Sequence, residues 1–242
     1  MFKKIHLLIL VGLLAMGFSF SCATFDKAAV ENTKNVAVIA VYADKRLDAS
    51  DFTGLGAAIS ALAQNKDFNM DSEVAKMKDD LFNEYSKAFS FKLMDEKAVL
   101  SSPNYSTVEM KQGILGIDET CFASAPGYRP FSMILRKPVT NVIRAIPGAD
   151  AGLMLFSTYK LRKKFEMLGF GTAVIDANVE LLIKDKNFKT VLYKIVSTSS
   201  KNTIKFALGG VFDAKQIQPL CAEATGTAAS KMKEWLMKQY AK

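Results

Sequence analysis

The stretch that decides the fold is Asn35-Val-Ala-Val-Ile-Ala-Val-Tyr42, a nearly uninterrupted apolar run. Strands buried on both faces have this pattern, whereas a strand with one solvated face alternates apolar and polar residues. The run therefore predicts a strand inside a parallel or mixed sheet.

A helix and a second strand follow this first strand. Apolar residues recur at three- and four-residue spacing from Val74 to Phe89, and Asp71 is a suitable N-cap, so residues 72–89 are predicted to form an amphipathic helix. Residues 90–95 are predicted to be a short strand. Strand, helix and strand in this order predict a right-handed βαβ crossover.

The second half of the chain is richer in strand patterns. Strands are predicted at residues 151–160, 171–184 and 189–197, and the short turn Asp185-Lys-Asn187 makes the last two an antiparallel hairpin. A closing helix is predicted to begin at Pro219. The sequence thus predicts a mixed α/β fold: a central mixed sheet of about five strands, with the C-terminal helix packed on it.

Residues 101–137 are the least regular part of the chain. Turn residues crowd this segment, as in Ser124-Ala-Pro-Gly-Tyr-Arg-Pro130. We expect one α/β domain over residues 35–242 with an irregular insertion at about 101–137. A long loop inside a compact domain is often functional. The alternative is an insertion with short helices of its own.

The N-terminus has the three parts of an export signal. Lys3 and Lys4 precede an apolar run at residues 7–20, and Ser19-Phe-Ser-Cys22 follows it. One interpretation is a lipoprotein signal that is cleaved before Cys22, whose thiol then carries a diacylglyceryl anchor. The other is ordinary signal-peptidase cleavage, because the two serines also satisfy the small-x-small rule.

Both interpretations predict a signal peptide at residues 1–21 and an exported chain of 221 residues (242 − 21). Residues 22–34 are polar and small and are predicted to be a tether. Lipidation of Cys22 would hold the protein in the cell envelope, on the outer or inner membrane, facing the periplasm or the cell surface.

Composition excludes several classes of function. The single histidine, His6, lies in the predicted signal, so the exported chain has no Ser-His or Cys-His catalytic unit and no His-ligated metal. We expect no cofactor. The exported chain carries 30 basic and 24 acidic side chains, a balance of +6. That charge serves solubility or contact with anionic lipid headgroups, lipopolysaccharide or cell-wall polymer, and no basic stripe with interleaved aromatic residues indicates nucleic acid.

Two cysteines remain after Cys22. Cys121 and Cys221 are predicted to form a disulfide, because an exported protein with one lipidated cysteine is left with an even pair. Such a bridge would tie the irregular insertion to the start of the C-terminal helix. The alternative is two buried free thiols that pack as small hydrophobic groups.

Two weaker motifs bear on catalysis and cofactor binding. Gly54-x-Gly56 lacks the third glycine of a dinucleotide fingerprint and follows its strand too late, so close backbone packing explains it better. Asp118-Glu119, in the irregular insertion, is the place where an envelope hydrolase with two carboxylates would have its catalytic groups.

The layout resembles periplasmic, lipid-anchored proteins with the α/β domain of the curli-secretion lipoprotein and the penicillin-binding-protein activators. The resemblance is carried by Val36-Ala-Val-Ile-Ala-Val41, the helix 72–89 running into Phe91-Lys-Leu-Met94, Ile146-Pro-Gly-Ala-Asp-Ala-Gly-Leu-Met-Leu155, the hairpin at Asp185-Lys-Asn187 and an alanine-rich closing helix. It implies an α/β fold; some members of the group form pores and others activate a synthase. It implies no catalytic residues, and residues 101–137 depart from the group's pattern.

The sequence therefore predicts a non-enzymatic, lipid-anchored protein that binds or assembles an envelope partner, either a protein or a cell-wall component. The alternative is an envelope hydrolase that uses carboxylates in residues 101–137. A third hypothesis is membrane perturbation by the amphipathic helix 72–89, but acids on its polar face disfavour anionic membranes.

Overall fold

The computed structural model describes residues 23–52, 62–63, 65, 67–206 and 214–240. The predicted signal peptide, Cys22 and the Gly54-x-Gly56 motif lie outside these residues. No helix within the described part of the chain is long and apolar enough to cross a membrane.

Ten strands are present in the described residues. In chain order they are β1 Ala23–Phe25, β2 Asn35–Asp48, β3 Lys92–Leu93, β4 Lys111–Gln112, β5 Leu115–Gly116, β6 Phe122–Ser124, β7 Ala151–Met167, β8 Phe170–Asp185, β9 Thr190–Ser199 and β10 Ile204–Phe206. The helices are α1 Lys27–Asn32, α2 Asp71–Asn83, α3 Glu96–Leu100, α4 Arg136–Ala145 and α5 Ala214–Tyr240. Two short 3-10 helices span Tyr85–Lys87 and Glu119–Cys121.

The main sheet is mixed and has eight strands among the described residues, in the order β1-β9-β8-β7-β2-β3, with β6 on β2 and β10 on β8. The predicted mixed α/β fold is confirmed, but the count of about five strands was too low. β2 is parallel to β7 and to β3, and the remaining pairs in the sheet are antiparallel. The missed strands β1 and β6 have three residues each, too few to show a periodicity.

The two faces of the sheet are covered differently. Tyr159 of β7 points to α5, where its hydroxyl lies 2.9 Å from the Thr225 hydroxyl. Successive strand residues point to opposite faces, so Phe156 lies on the other side, where it stacks on Tyr42. We call the side of α2 and α5 the helix face. The opposite side, covered in part by α4 and residues 101–135, is the insertion face.

Residues 23–34 are not a tether, contrary to the prediction. β1 pairs with β9, and α1 follows, capped by the Asp26 carboxylate, which accepts a hydrogen bond from the Ala29 amide at 2.9 Å. Val30 is buried. The predicted closing helix also begins earlier, at Ala214, so Pro219 lies within it. The buried Val30 and the partly buried Phe25 hold these two short elements against the core, although the composition of the segment is mostly polar and small.

The step Ala149-Asp150 joins the starts of β2 and β7. The Asp150 carboxylate accepts hydrogen bonds from the backbone amides of Lys34 at 3.1 Å and Asn35 at 2.9 Å. Two residues on, a Cβ at Gly152 would lie 2.7 Å from the Ile143 side chain of α4. A glycine at this position therefore lets α4 lie close on the sheet.

The irregular insertion is fixed to the core. The buried Tyr105 hydroxyl donates to the Ile39 carbonyl of β2 at 2.7 Å, and the Tyr42 hydroxyl donates to the Phe131 carbonyl at 3.1 Å. Phe131 is fully buried. The segment contributes the small β4–β5 hairpin, a 3-10 helix and β6, which pairs with β2. Residues 101–137 thus form one layer of the domain.

The predicted disulfide between Cys121 and Cys221 is wrong for this structure, in which both thiols are free. The Cys121 sulfur lies 3.6 Å from the Asp118 carboxylate, on the insertion side. Cys221 is fully buried on α5, on the helix face. The sheet lies between them. Burial raises the pKa of both thiols, so each is a neutral thiol at neutral pH.

Candidate functional site

The candidate site is a cavity of about 310 Å³ on the insertion face. Its floor comes from β2 and β7, and its walls come from residues 115–118, from Phe122 and from residues 132–135. The cavity exists because the insertion packs on the sheet at Tyr105 and Phe131 but leaves the middle of β2 and β7 partly uncovered.

The floor is aromatic. The rings of Tyr42 and Phe156 stack with centroids 5.1 Å apart and planes within 6°. Phe122 approaches Tyr42 edge-on at 5.3 Å. Burial raises the pKa of Tyr42 far above its ordinary value, so its hydroxyl stays protonated. The floor can therefore contact an apolar or planar group and supplies no titrating base.

One ion pair stands at the side of the cavity. The Arg46 Nε lies 2.8 Å from one oxygen of Asp44, and Nη2 lies 2.5 Å from the other. The guanidinium also stands over the Phe122 ring, 4.9 Å from its centroid. Bidentate pairing fixes the geometry of both side chains. The hydrogen bond to Asp44 raises the pKa of Arg46 further, so the guanidinium remains charged.

Asp118 is the second lining carboxylate. It accepts hydrogen bonds from the amide of Thr120 at 3.1 Å and from its hydroxyl at 2.6 Å. These bonds lower the pKa of Asp118, so the group is ionised at neutral pH. With Asp44 and Arg46 lining the same cavity, the charges there are two negative and one positive, a balance of −1. The cavity therefore favours a neutral or cationic guest over an anionic one.

The carboxylates proposed for a hydrolase are not brought together. Glu119 does not line the cavity and pairs instead with Arg129, 2.9 Å away. Asp118 lines it, but its pKa is lowered, whereas a glycosidase needs one carboxyl whose pKa is raised. The described residues also hold no cluster of three or more metal-ligating side chains. Asp118 and Glu119 are thus not arranged as the catalytic pair that the hydrolase alternative names, and the absence of an enzymatic role stays a prediction.

Sequence reasoning identified Asp118 but missed the aromatic floor and the ion pair. Tyr42 and Phe156 lie in apolar strands and look like ordinary core residues until the insertion is placed over them. The available signal for the ion pair was the charged run Asp44-Lys-Arg46 at the end of the β2 apolar run, because it marks where the strand leaves the core.

Glu180 lies beside the floor without lining the cavity. It is the cross-strand neighbour of Phe156 and is buried, and its carboxylate accepts a hydrogen bond from the Tyr193 hydroxyl at 2.7 Å. Burial raises the pKa of Glu180 above its ordinary value, and the Tyr193 bond only partly opposes this.

Glu180 should therefore make stability fall as pH rises. The folded state binds the Glu180 proton more tightly than the unfolded state does. The free energy of unfolding therefore falls as pH rises from the unfolded-state pKa near 4.5 through the higher folded-state pKa. Glu180→Gln should remove this drop and be at least as stable as the parent at pH 7. Urea denaturation across pH 4 to 8 measures it.

Glu84→Gln is the control of opposite sign. Its hydrogen bond with Lys233 lowers the pKa of Glu84, so that carboxylate contributes stability above its unfolded pKa and loses it as pH falls through the folded value. Glu84→Gln should be less stable than the parent at pH 7 and as stable as the parent at a pH below the folded-state pKa. Equal pH profiles for Glu180→Gln and the parent would contradict the assignment.

Comparison with known proteins finds similarity only among solved structures. No family model and no curated protein matches the chain. The chain is similar to the hypothetical protein CT253 from Chlamydia trachomatis, with 10% identity over 86% of this chain and 95% of that chain, at a TM-score of 0.36. It is also similar to a putative neuraminyllactose-binding hemagglutinin homolog from Helicobacter pylori, with 8% identity over 87% and 88% of the two chains, at a TM-score of 0.30.

Proposed function

We propose that this protein is a non-enzymatic, lipid-anchored binding module of the cell envelope, and that the cavity on the insertion face receives part of its partner. The anchor rests on the N-terminal sequence pattern that ends at Cys22. The binding role rests on the cavity.

The observation that carries the binding role is the apolar rim of the cavity. Ile134 is 71% exposed and Leu115 is 54% exposed, and both line the opening. Exposed branched side chains around a concavity are typical of a surface that is covered in a complex. The rim leads inward to the stacked rings of Tyr42 and Phe156.

The charges that line the cavity limit which chemical groups can bind in it. The balance of −1 inside the cavity, with Arg46 already held by Asp44, disfavours phosphate or carboxylate groups. A partner could place an apolar or aromatic side chain against the aromatic floor and a basic or neutral side chain near the lining carboxylates. This pattern fits a protein segment better than an anionic polymer, so we propose a protein partner.

Site-specific photocrosslinking in intact cells tests the proposal. A photoreactive phenylalanine analogue at Ile134 should give a discrete adduct with one envelope protein. The same analogue at Lys186, which is exposed on the β8–β9 turn, should not give it. Identical adducts from both positions would contradict recognition by the cavity.

A filled cavity provides the matched control. Thr158 lies on the cavity floor and is only partly buried, so Thr158→Trp should occupy the space and abolish the adduct from position 134. Thr158→Ser should leave it unchanged. If Thr158→Trp folds normally by circular dichroism and still crosslinks as before, the partner does not enter the cavity.

A further inference from the structure

The hairpin between β7 and β8 has an apolar tip that neither the cavity nor the core uses. Four large apolar side chains are mostly exposed there: Phe165 at 58%, Met167 at 62%, Leu168 at 86% and Phe170 at 57%. They flank or form a two-residue turn, since Met167 pairs directly with Phe170.

The tip protrudes from the sheet. Pairing of β2 with β7 ends at Lys160, and pairing of β9 with β8 ends at Asp176. Beyond these points only β10 flanks the hairpin among the described residues, as far as Gly171. The turn is tight, with positive φ at both Leu168 and Gly169. A leucine is unfavourable at such a position, where asparagine or glycine is usual, so local turn geometry does not explain it.

The apolar side chains lie on one side of the hairpin. Phe165 pairs with Thr172, and cross-strand partners point to the same face, so Phe165, Met167 and Phe170 share the insertion face. The other side is covered internally, because the Phe206 ring packs over Gly171 and contacts Phe52 at 5.1 Å. The hairpin is therefore supported from behind and presents a fixed apolar patch.

Basic residues surround this patch. Lys164 and Lys205 are exposed, and Lys205 pairs with Thr172, which places it on the same face as Phe165. Glu166 is held by Lys163, and Asp176 is held by Arg162. Four basic side chains against these two acids leave a balance of +2. The sign is opposite to that of the cavity, so the two surfaces suit different partners.

We propose that the tip of the β7–β8 hairpin docks on an anionic lipid bilayer. Phe165, Met167, Leu168 and Phe170 enter the boundary between headgroups and acyl chains, while Lys164 and Lys205 contact lipid phosphates. An exposed apolar tip flanked by lysines is an arrangement by which peripheral proteins bind membrane interfaces. The contact is separate from the proposed anchor at Cys22 and from the cavity.

Vesicle flotation tests the proposal without the anchor. All described elements lie in residues 23–240, so a chain that begins at residue 22 with Cys22→Ala keeps the described fold and has no lipid. This chain should float with vesicles that contain phosphatidylglycerol and bind pure phosphatidylcholine vesicles at least tenfold more weakly. Raising the salt concentration should weaken binding, because exposed charges are screened.

Two sets of variants locate the contact. Leu168→Ser with Phe170→Ser should weaken binding more than tenfold, and replacement of Lys164 and Lys205 by glutamine should cost about fivefold per lysine. Ile114→Ser with Ile134→Ser removes two exposed apolar side chains from the cavity side and should leave binding unchanged.

Three outcomes would overturn the proposal. One is failure of the unlipidated chain to bind anionic vesicles. Another is equal binding by the hairpin variant and the Ile114/Ile134 control. The third is a dimer that sedimentation detects without lipid and that the hairpin substitutions dissociate. In that case a second copy of the chain would cover the tip.

Discussion

Phe131→Ala should lower the free energy of unfolding by about 3–5 kcal/mol, the range for truncation of a buried phenylalanine. The ring is fully buried and lies 6.2 Å from the Tyr105 ring, at the point where residues 101–137 pack on the sheet. Its loss leaves a cavity beneath the insertion. Urea denaturation followed by the fluorescence of Trp235 measures the change, and hydrogen exchange should show residues 101–137 opening before the sheet.

Phe165→Ala is the matched control. It removes the same side chain from the hairpin tip, where the residue is 58% exposed, and should change the free energy of unfolding by no more than about 0.5 kcal/mol. If Phe131→Ala also costs less than about 1 kcal/mol, the insertion is not held by its buried rings. The cavity that depends on it would then have no fixed wall.

Cys22→Ala in the exported protein should move it from the membrane fraction to the soluble periplasmic fraction. Labelling with a fatty-acid analogue should disappear at the same time, because the thiol that would carry the diacylglyceryl group is gone. Several acyl chains together anchor a protein stably, so the expected change is from almost complete to almost no retention after a high-salt wash.

Cys121→Ala is the control for the anchoring prediction, because it removes a partly exposed cysteine outside the predicted signal and should leave both labelling and fractionation unchanged. The salt wash separates the anchor from the hairpin, since electrostatic contact is screened and a lipid anchor is not. Retention of Cys22→Ala after the wash would leave an uncleaved signal as the explanation and contradict lipidation.

The long elements were predictable because their patterns repeat. The apolar run 35–42 became the interior strand β2, the spacing over residues 72–89 became α2 and a 3-10 turn, and the turn at 185–187 joined β8 to β9 as an antiparallel pair. Each element has enough residues for burial to impose a period on its sequence.

The short elements were not predictable for the opposite reason. β1 and β6 each have three residues and owe their positions to longer neighbours. The disulfide prediction failed because an even number of cysteines says nothing about distance. Cys121 and Cys221 lie on opposite sides of a sheet whose path the sequence does not display.

The sequence by itself determined the fold class, the order of the long elements and the lack of histidine chemistry after residue 21, because composition and periodicity are local properties of the chain. Tertiary structure decided which residues meet. It placed Tyr42 on Phe156 under the insertion, separated Glu119 from the cavity, and left Phe165 and Phe170 uncovered at a protruding tip. Contact between residues more than a hundred positions apart depends on how the sheet is assembled, and no local pattern records that.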